Sequence, residues 1–261
     1  MLASEVRALA RANRWPGSTR ASAPGMVQCN VVALPGDDAA AFARWCRLNR
    51  SVAPVLAVTA PGDPSLPQLG QGIDIRHDLP AYRVMRAGGE PVEQDDIAEL
   101  WGPDWQAFAF GCSFSLEDAL RVGGVPLNYE ARGFGGAIYR TTIETTPSGS
   151  WSGPLVVSMR PIPARAAEQA VAVSRRLPGL HGAPVHVGDP AAIGIELASP
   201  MEALGELSVA EDEVPVFWAC GVTTHFVLEN AQPALAATHV SSRMLVTDIG
   251  IDDPLTRSLH P

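Results

Sequence analysis

The chain lacks a long apolar run, a basic run and any closely spaced pair of cysteines. No segment reaches the ~18–20 consecutive apolar residues that cross a bilayer, which excludes a transmembrane helix. The stretch MLASEVRALARANRWPG already carries Glu5 and Arg7 and has no apolar centre of the kind a secretion signal needs. Cys29, Cys46, Cys112 and Cys220 show no CxxC spacing. That argues against a disulfide frame or a zinc site and points to reduced thiols in a cytoplasmic protein. Charged residues are scarce at 18%, and the net charge is −9. With no basic cluster, nucleic acid is excluded as the main partner. A small anionic substrate is not, because local positive groups override a net field.

What is present is a chain of 261 residues, 46% of them hydrophobic, enough for one large domain or two packed halves. The 24 glycines and 23 prolines predict short elements joined by tight turns rather than a helical bundle. Residues 1–15 read as a short helix stopped at Trp15-Pro16, with a polar loop to about Gly25. Residues 27–34 read as a strand ended by Pro35. A helix capped by Asp37 or Asp38 follows, then a strand at 53–58 closed by Pro61-Gly62-Asp63-Pro64.

From Gly153 the same order returns. A strand at 155–159 ends near Pro161, a helix over 164–177 is stopped by Pro178-Gly179, and a strand at 183–187 is closed by Gly188-Asp189-Pro190. Residues 108–115 and 216–223 also match. Each is an apolar strand running through a cysteine into a helix, with Ser115 and Thr223 placed to accept from the first-turn N–H groups as N-caps. Four matches in one order imply an internal duplication. The predicted fold is α/β with mixed sheets, built from duplicated strand–helix–strand units as two related lobes. Residues 1–25 form a lead-in, 26–150 the first lobe and 151–261 the second, packed as one compact unit.

The copies differ in chemistry. Matching Val31-Val32 to Val156-Val157 puts Ser158 and Arg160 where the first copy carries Ala33 and Leu34 or their neighbours. His186 replaces Leu56, and His181 stands at the place of Ser51. Polar groups at strand ends are costly unless satisfied, so the second copy is the place to look for a site. Each residue also has a plain reading. Arg160 fits a structural salt bridge, His186 a satisfied core histidine, His181 a solvated loop and Asp189 a turn. Cys112 and Cys220 fit buried strand residues, although each precedes a helix N-terminus, where the macrodipole lowers a thiol pKa. Two helix N-termini facing one cavity would hold two carboxylates, or one carboxylate and an oxyanion.

Long stretches carry a family likeness. Phe110-Gly111-Cys112-Ser113-Phe114-Ser115, Ile138-Tyr139-Arg140-Thr141, Ser152 to Pro163, His181 to Pro190 and Val214 to Thr223 resemble the D-glutamate cyclase family, also described as hydro-lyases. The likeness runs from about Gly25 to Asp248. It implies water elimination, the family reaction being closure of D-glutamate to 5-oxo-D-proline. One departure stands out. The family's Thr-His-Ala-Pro-Gly-His-Met is here Thr238-His239-Val240-Ser241-Ser242-Arg243-Met244, so Arg243 replaces a histidine and the Pro-Gly turn is lost. Arg243 cannot shuttle protons near neutral pH, but it can bind a carboxylate.

Lactam closure needs a neutral amine, an electrophilic carboxyl carbon and a leaving oxygen that departs as water. The expected catalytic set is His186 with Asp189 or His239 as partner, with His181 nearby. Arg160 and Arg140 would hold carboxylates, and the helix start at Thr223 would stabilise an oxyanion. Ser113, Ser115, Tyr139, Ser158, Cys220 and Arg243 complete the substrate-binding candidates. No metal-ligand spacing is present, since His181 and His186 are five apart, so a cofactor-independent site is expected. Replacing Arg160 by Ala is expected to abolish turnover while leaving a cooperatively melting fold. A cyclase recruited to another substrate and an inactive metabolite binder stay open beside this reading. A homodimer is the base-rate expectation for assembly.

Overall fold

The computed structural model describes residues 1–258. It orders the chain as α1 (Ala3–Arg11), β1 (Met26–Pro35), α2 (Gly36–Leu48), β2 (Val55–Val58), β3 (Tyr82–Arg86), β4 (Val92–Gln94), β5 (Trp105–Gly111), α3 (Ser113–Val122), β6 (Ala137–Glu144), β7 (Pro154–Pro163), α4 (Ala167–Arg175), β8 (His186–Val187), β9 (Glu202–Ala203), β10 (Glu213–Ala219), α5 (Thr223–Ala231), β11 (Leu235–His239) and β12 (Leu245–Gly250). None of the described helices is long and apolar enough to cross a membrane.

The strands form two sheets. One has the order β2-β5-β1-β11-β3-β4, with β12 also on β1; the other has the order β8-β10-β7-β6-β9. The α/β class is as expected, but the sheets are antiparallel at every pairing rather than mixed. The reason is an insertion. Each strand–helix–strand unit is present, yet β5 lies between β1 and β2, and β10 lies between β7 and β8. The two strands of a unit run parallel without touching. The first sheet does not come from one continuous stretch, because β11 and β12 join β1 to β5; the second is built from the consecutive strands β6 to β10, and β6 lies before residue 150. The division expected near residue 150 therefore separates stretches of sequence, not sheets.

The two sheets share a topology. β1 and β7 are each ten residues and end in proline, and β5 and β10 are each seven. Pro35 pairs with Trp105, and Pro163 pairs with Glu213, the last residue against the first in both cases. A side-chain bond repeats as well. The Ser115 hydroxyl accepts from the Gln28 amide at 2.7 Å, and the Thr223 hydroxyl accepts from the Val156 amide at 3.0 Å. Gln28 and Val156 are the third residues of β1 and β7. This frame matches Asn30 with Ser158 and Val32 with Arg160, three residues away from the register that the Val-Val pairs suggested.

Several local expectations are corrected. Ser115 and Thr223 lie inside their helices and tie them to the strands. Cys112 is the N-cap of α3, its thiol accepting from the Phe114 amide at 3.5 Å, and α5 starts after Val222 with no side-chain cap. α2 begins directly after Pro35, with Asp37 and Asp38 in its first turn rather than at the cap. α1 stops at Arg11, before Trp15. β7 runs through Pro161, which pairs with Pro215. Beyond Met159 it has left the paired part of β6, so the missing N–H disrupts no ladder there.

The core is anchored on α2. Phe42 stacks on Trp45 at 5.6 Å and meets Phe108 of β5 edge-on at 5.1 Å, which holds the helix against the first sheet. α1 is fixed from outside by buried Arg7, whose guanidinium donates to both Asp248 oxygens at 2.8 and 2.9 Å.

Candidate active site

A cleft of about 460 Å³ is lined by residues of both sheets and by the starts of both matched helices. Cys112, Ser113 and Phe114 enter it from α3, and Cys220 and Val222 from α5. The starts of the two helices thus border one cavity, where the helix dipoles favour negative charge. The packing that brings them together is reciprocal. Ser158 of β7 meets Ser113 at the start of α3, hydroxyl to hydroxyl at 3.0 Å. Asn30 of β1 presses on Gly221 at the start of α5, where a Cβ would lie 2.2 Å from the Asn30 amide. Asn30 also donates to Gly111 O at 2.7 Å, so its orientation is fixed.

Arg160 lines the same cavity and is 4% exposed. Its Nε donates to Glu117 at 2.5 Å and its Nη1 to Met159 O at 3.1 Å. Burial pulls its pKa down, but the Glu117 carboxylate outweighs burial and raises it above the ordinary arginine value. Glu117 is shared with Arg20 at 2.8 Å. Gly136, at φ +103°, leaves room for the guanidinium, since a Cβ there would lie 2.4 Å from Nη1. Arg160 is therefore both the buried ion-pair partner of Glu117 and a wall of the cavity.

His239, at the end of β11, is fully buried and also lines the cavity. Its Nδ1 lies 3.2 Å from the Val31 amide nitrogen and 3.3 Å from Val31 O. Burial lowers its pKa to about 4, against the backbone bond to Val31, so the ring is neutral at pH 7. Behind it stands His225 of α5, ring centroid at 5.4 Å, with no partner at Nε2. Burial, then His239 and Arg83, holds His225 well below the usual histidine value. Burial raises the Cys112 thiol to about 12 and the Cys220 thiol to about 11. The dipole-lowered thiols expected from their helix positions are not what the buried cavity gives.

From the predicted set the cavity collects Ser113, Ser158, Arg160, Cys220 and His239. It does not collect the others. His186 lies on the edge strand β8, its Nε2 at 2.7 Å from Asp189 O, and Asp189 caps the turn at 190–193 by accepting from the Ala191 amide at 3.0 Å. His181 is a core histidine rather than a solvated one. Its Nδ1 lies 2.9 Å from Ser51 O, and burial lowers its pKa to about 4. Tyr139 donates to Leu197 O at 2.8 Å, and Arg140 is exposed over the Phe226 ring at 5.6 Å. Ser115 and Thr223 serve the helix–strand ties.

Arg243 is half-buried and outside the lining, although Ser241, Ser242 and Met244 are in it. The turn thought lost there persists in the backbone. Arg243 N donates to Val240 O at 2.9 Å, and Ser242 adopts φ +62°. Sequence reading missed Asn30 and Glu202, which also line the cavity; the Glu202 carboxylate accepts from Ser241 at 2.6 Å. An amide in the middle of a mostly apolar strand was the available signal for Asn30. All 19 basic residues of the chain are arginine, so no lysine imine can form here.

The cleft thus gathers the starts of two helices with Arg160 and His239 among its lining residues. The D-glutamate cyclase family model matches residues 106–248. Proteins named "putative hydro-lyase" are similar over nearly the whole length. That of Verminephrobacter eiseniae is 49% identical over 94% of this chain and 89% of its own. That of Bordetella petrii is 47% identical over 95% and 94%, and that of Cupriavidus taiwanensis 48% identical over 94% and 91%. The chain belongs to the D-glutamate cyclase family.

Proposed function

We propose that the chain is a hydro-lyase that removes water from a small amino acid carrying two carboxylates, closing D-glutamate or a near analogue to a five-membered lactam. The observation that carries this reading is the opening of α3 and α5, with Arg160, into one cavity. One carboxylate sits at one helix start. The second, which is attacked, sits at the other, where backbone N–H groups stabilise the oxygen that gains charge. The amine nitrogen attacks the distal carboxyl carbon, a C–N bond forms and a C–O bond breaks. The two protons that the ammonium loses both end on the departing oxygen, which leaves as water. His239 is the group placed to relay them, being neutral and fixed through Nδ1.

The shared topology supports a companion reading, that the two sheets descend from one duplicated unit and the cavity lies between the copies. The test of function is direct. Incubation with D-glutamate should give 5-oxo-D-proline, read as loss of one water by mass. A folded protein that forms no lactam and shows no melting shift with D-glutamate overturns the reading.

A further inference from the structure

Cys112 and Cys220 are matched residues of the two sheets. Each follows a seven-residue strand, β5 or β10, and each precedes a helix of nine or ten residues. Each thiol accepts from the amide two residues on, Phe114 and Val222 respectively. Both line the one cavity, and Cys220 contributes to raising the Cys112 thiol. Arg160 acts on both in the direction that favours thiolate. The water-elimination reading gives neither thiol a task.

We propose that Cys112 and Cys220 form a two-thiol proton-exchange pair across the carbon that bears the substrate's α-carboxylate, so that the site interconverts the D and L forms of its amino acid. This rests on the carboxylate-binding part of the proposed function. One thiolate takes the Cα proton and becomes a thiol, and the electron pair of the C–H bond moves onto the carboxylate. The helix N–H groups stabilise that added charge. The opposite thiol gives its proton to the other face of Cα and becomes the thiolate. The charge has changed sides, no bond other than C–H and S–H is altered, and no oxidant or reductant is needed. Burial makes each thiolate scarce at neutral pH but a stronger base when formed. Exchange therefore climbs about tenfold per pH unit between pH 7 and 10, a range below both thiol values.

The test uses the full chain in deuterium oxide with D-glutamate, L-glutamate and 5-oxo-D-proline. Three readouts are taken: Cα deuterium by NMR, enantiomer by chiral chromatography and water loss by mass. Deuterium at Cα with racemisation is the expected result. Cys112→Ala and Cys220→Ala should each cut racemisation at least about hundredfold, each leaving deuterium incorporation into one enantiomer only. Water loss without Cα deuterium overturns the thiol pair and leaves the lactam reading standing. Deuterium and racemisation without water loss uphold the pair and remove the lactam reading. Neither change in a folded protein overturns both. If the variants fail to fold, the wild-type measurements still decide, because absent racemisation refutes the pair on its own.

Discussion

Replacing Arg160 by Ala should cost stability as well as activity, while the fold still melts cooperatively. Arg160 and Glu117 are 4% and 3% exposed in their side chains, with Nε to Oε1 at 2.5 Å. Removing one partner of a buried pair costs about 3–5 kcal/mol, because the other charge is left uncompensated. Here Glu117 keeps Arg20 at 2.8 Å, which puts the loss near the lower end, about 3 kcal/mol. For a chain of this size that is a fall in melting temperature of roughly 6–12 °C. The control removes both charges. Arg160→Met with Glu117→Gln should recover most of the loss, since a volume-matched neutral pair is close to neutral in stability. It should not recover lactam formation, because Arg160 also lines the cavity. Thermal and urea melts followed by circular dichroism, beside the mass assay, give both readings. A single substitution costing under about 1 kcal/mol, or a double variant no more stable than the single, refutes the reasoning.

Three further outcomes are expected. His181 and His239 have pKa values lowered to about 4, and His225 is lowered too. Protons then bind the unfolded chain more than the native one between about pH 6.5 and 4, so stability falls as pH falls through that window. His181→Asn should flatten the slope there by up to about 1.4 kcal/mol per pH unit, read from urea melts at pH 7, 6 and 5; an unchanged slope contradicts a neutral buried His181. Ser242→Gly should raise stability by up to about 1 kcal/mol, because only the left-handed strain at φ +62° is relieved; a loss would mean the serine side chain is needed. His186→Gln should leave lactam formation within about twofold of wild type, since His186 bonds only outside the cavity; a large drop in kcat would return it to the site.

Much of the fold was legible because its signals are local. Proline ends, apolar runs and helical spacing located β1, α2, β5, β7 and β10 to within a few residues. The insertion of β5 between β1 and β2 was not legible, since nothing along the chain states which strand a later strand will join. The same gap misplaced part of the site. Matching Val55-Leu56 to Val185-His186 put His186 at centre stage, and matching the Val-Val pairs hid Asn30, which strand pairing sets against Ser158. Arg160, Ser158, Ser113, Cys220 and His239, which line the cavity, stood out in the sequence because a polar side chain in an apolar strand or at a helix start has few cheap explanations. Ser115 and Thr223 were read correctly as matched and wrongly as caps. A hydroxyl satisfies a strand amide as well as a helix one, and only the packing says which.

The account's central claim is that water elimination takes place in the cavity under α3 and α5, with His239 as the proton relay. The most direct test is the rate at which 5-oxo-D-proline forms from D-glutamate in wild type, His239→Asn and His186→Gln, each checked for a cooperative melt. The account predicts turnover in wild type and in His186→Gln, and a fall of at least about hundredfold in His239→Asn. Undiminished turnover in a folded His239→Asn, or loss confined to His186→Gln, would contradict it.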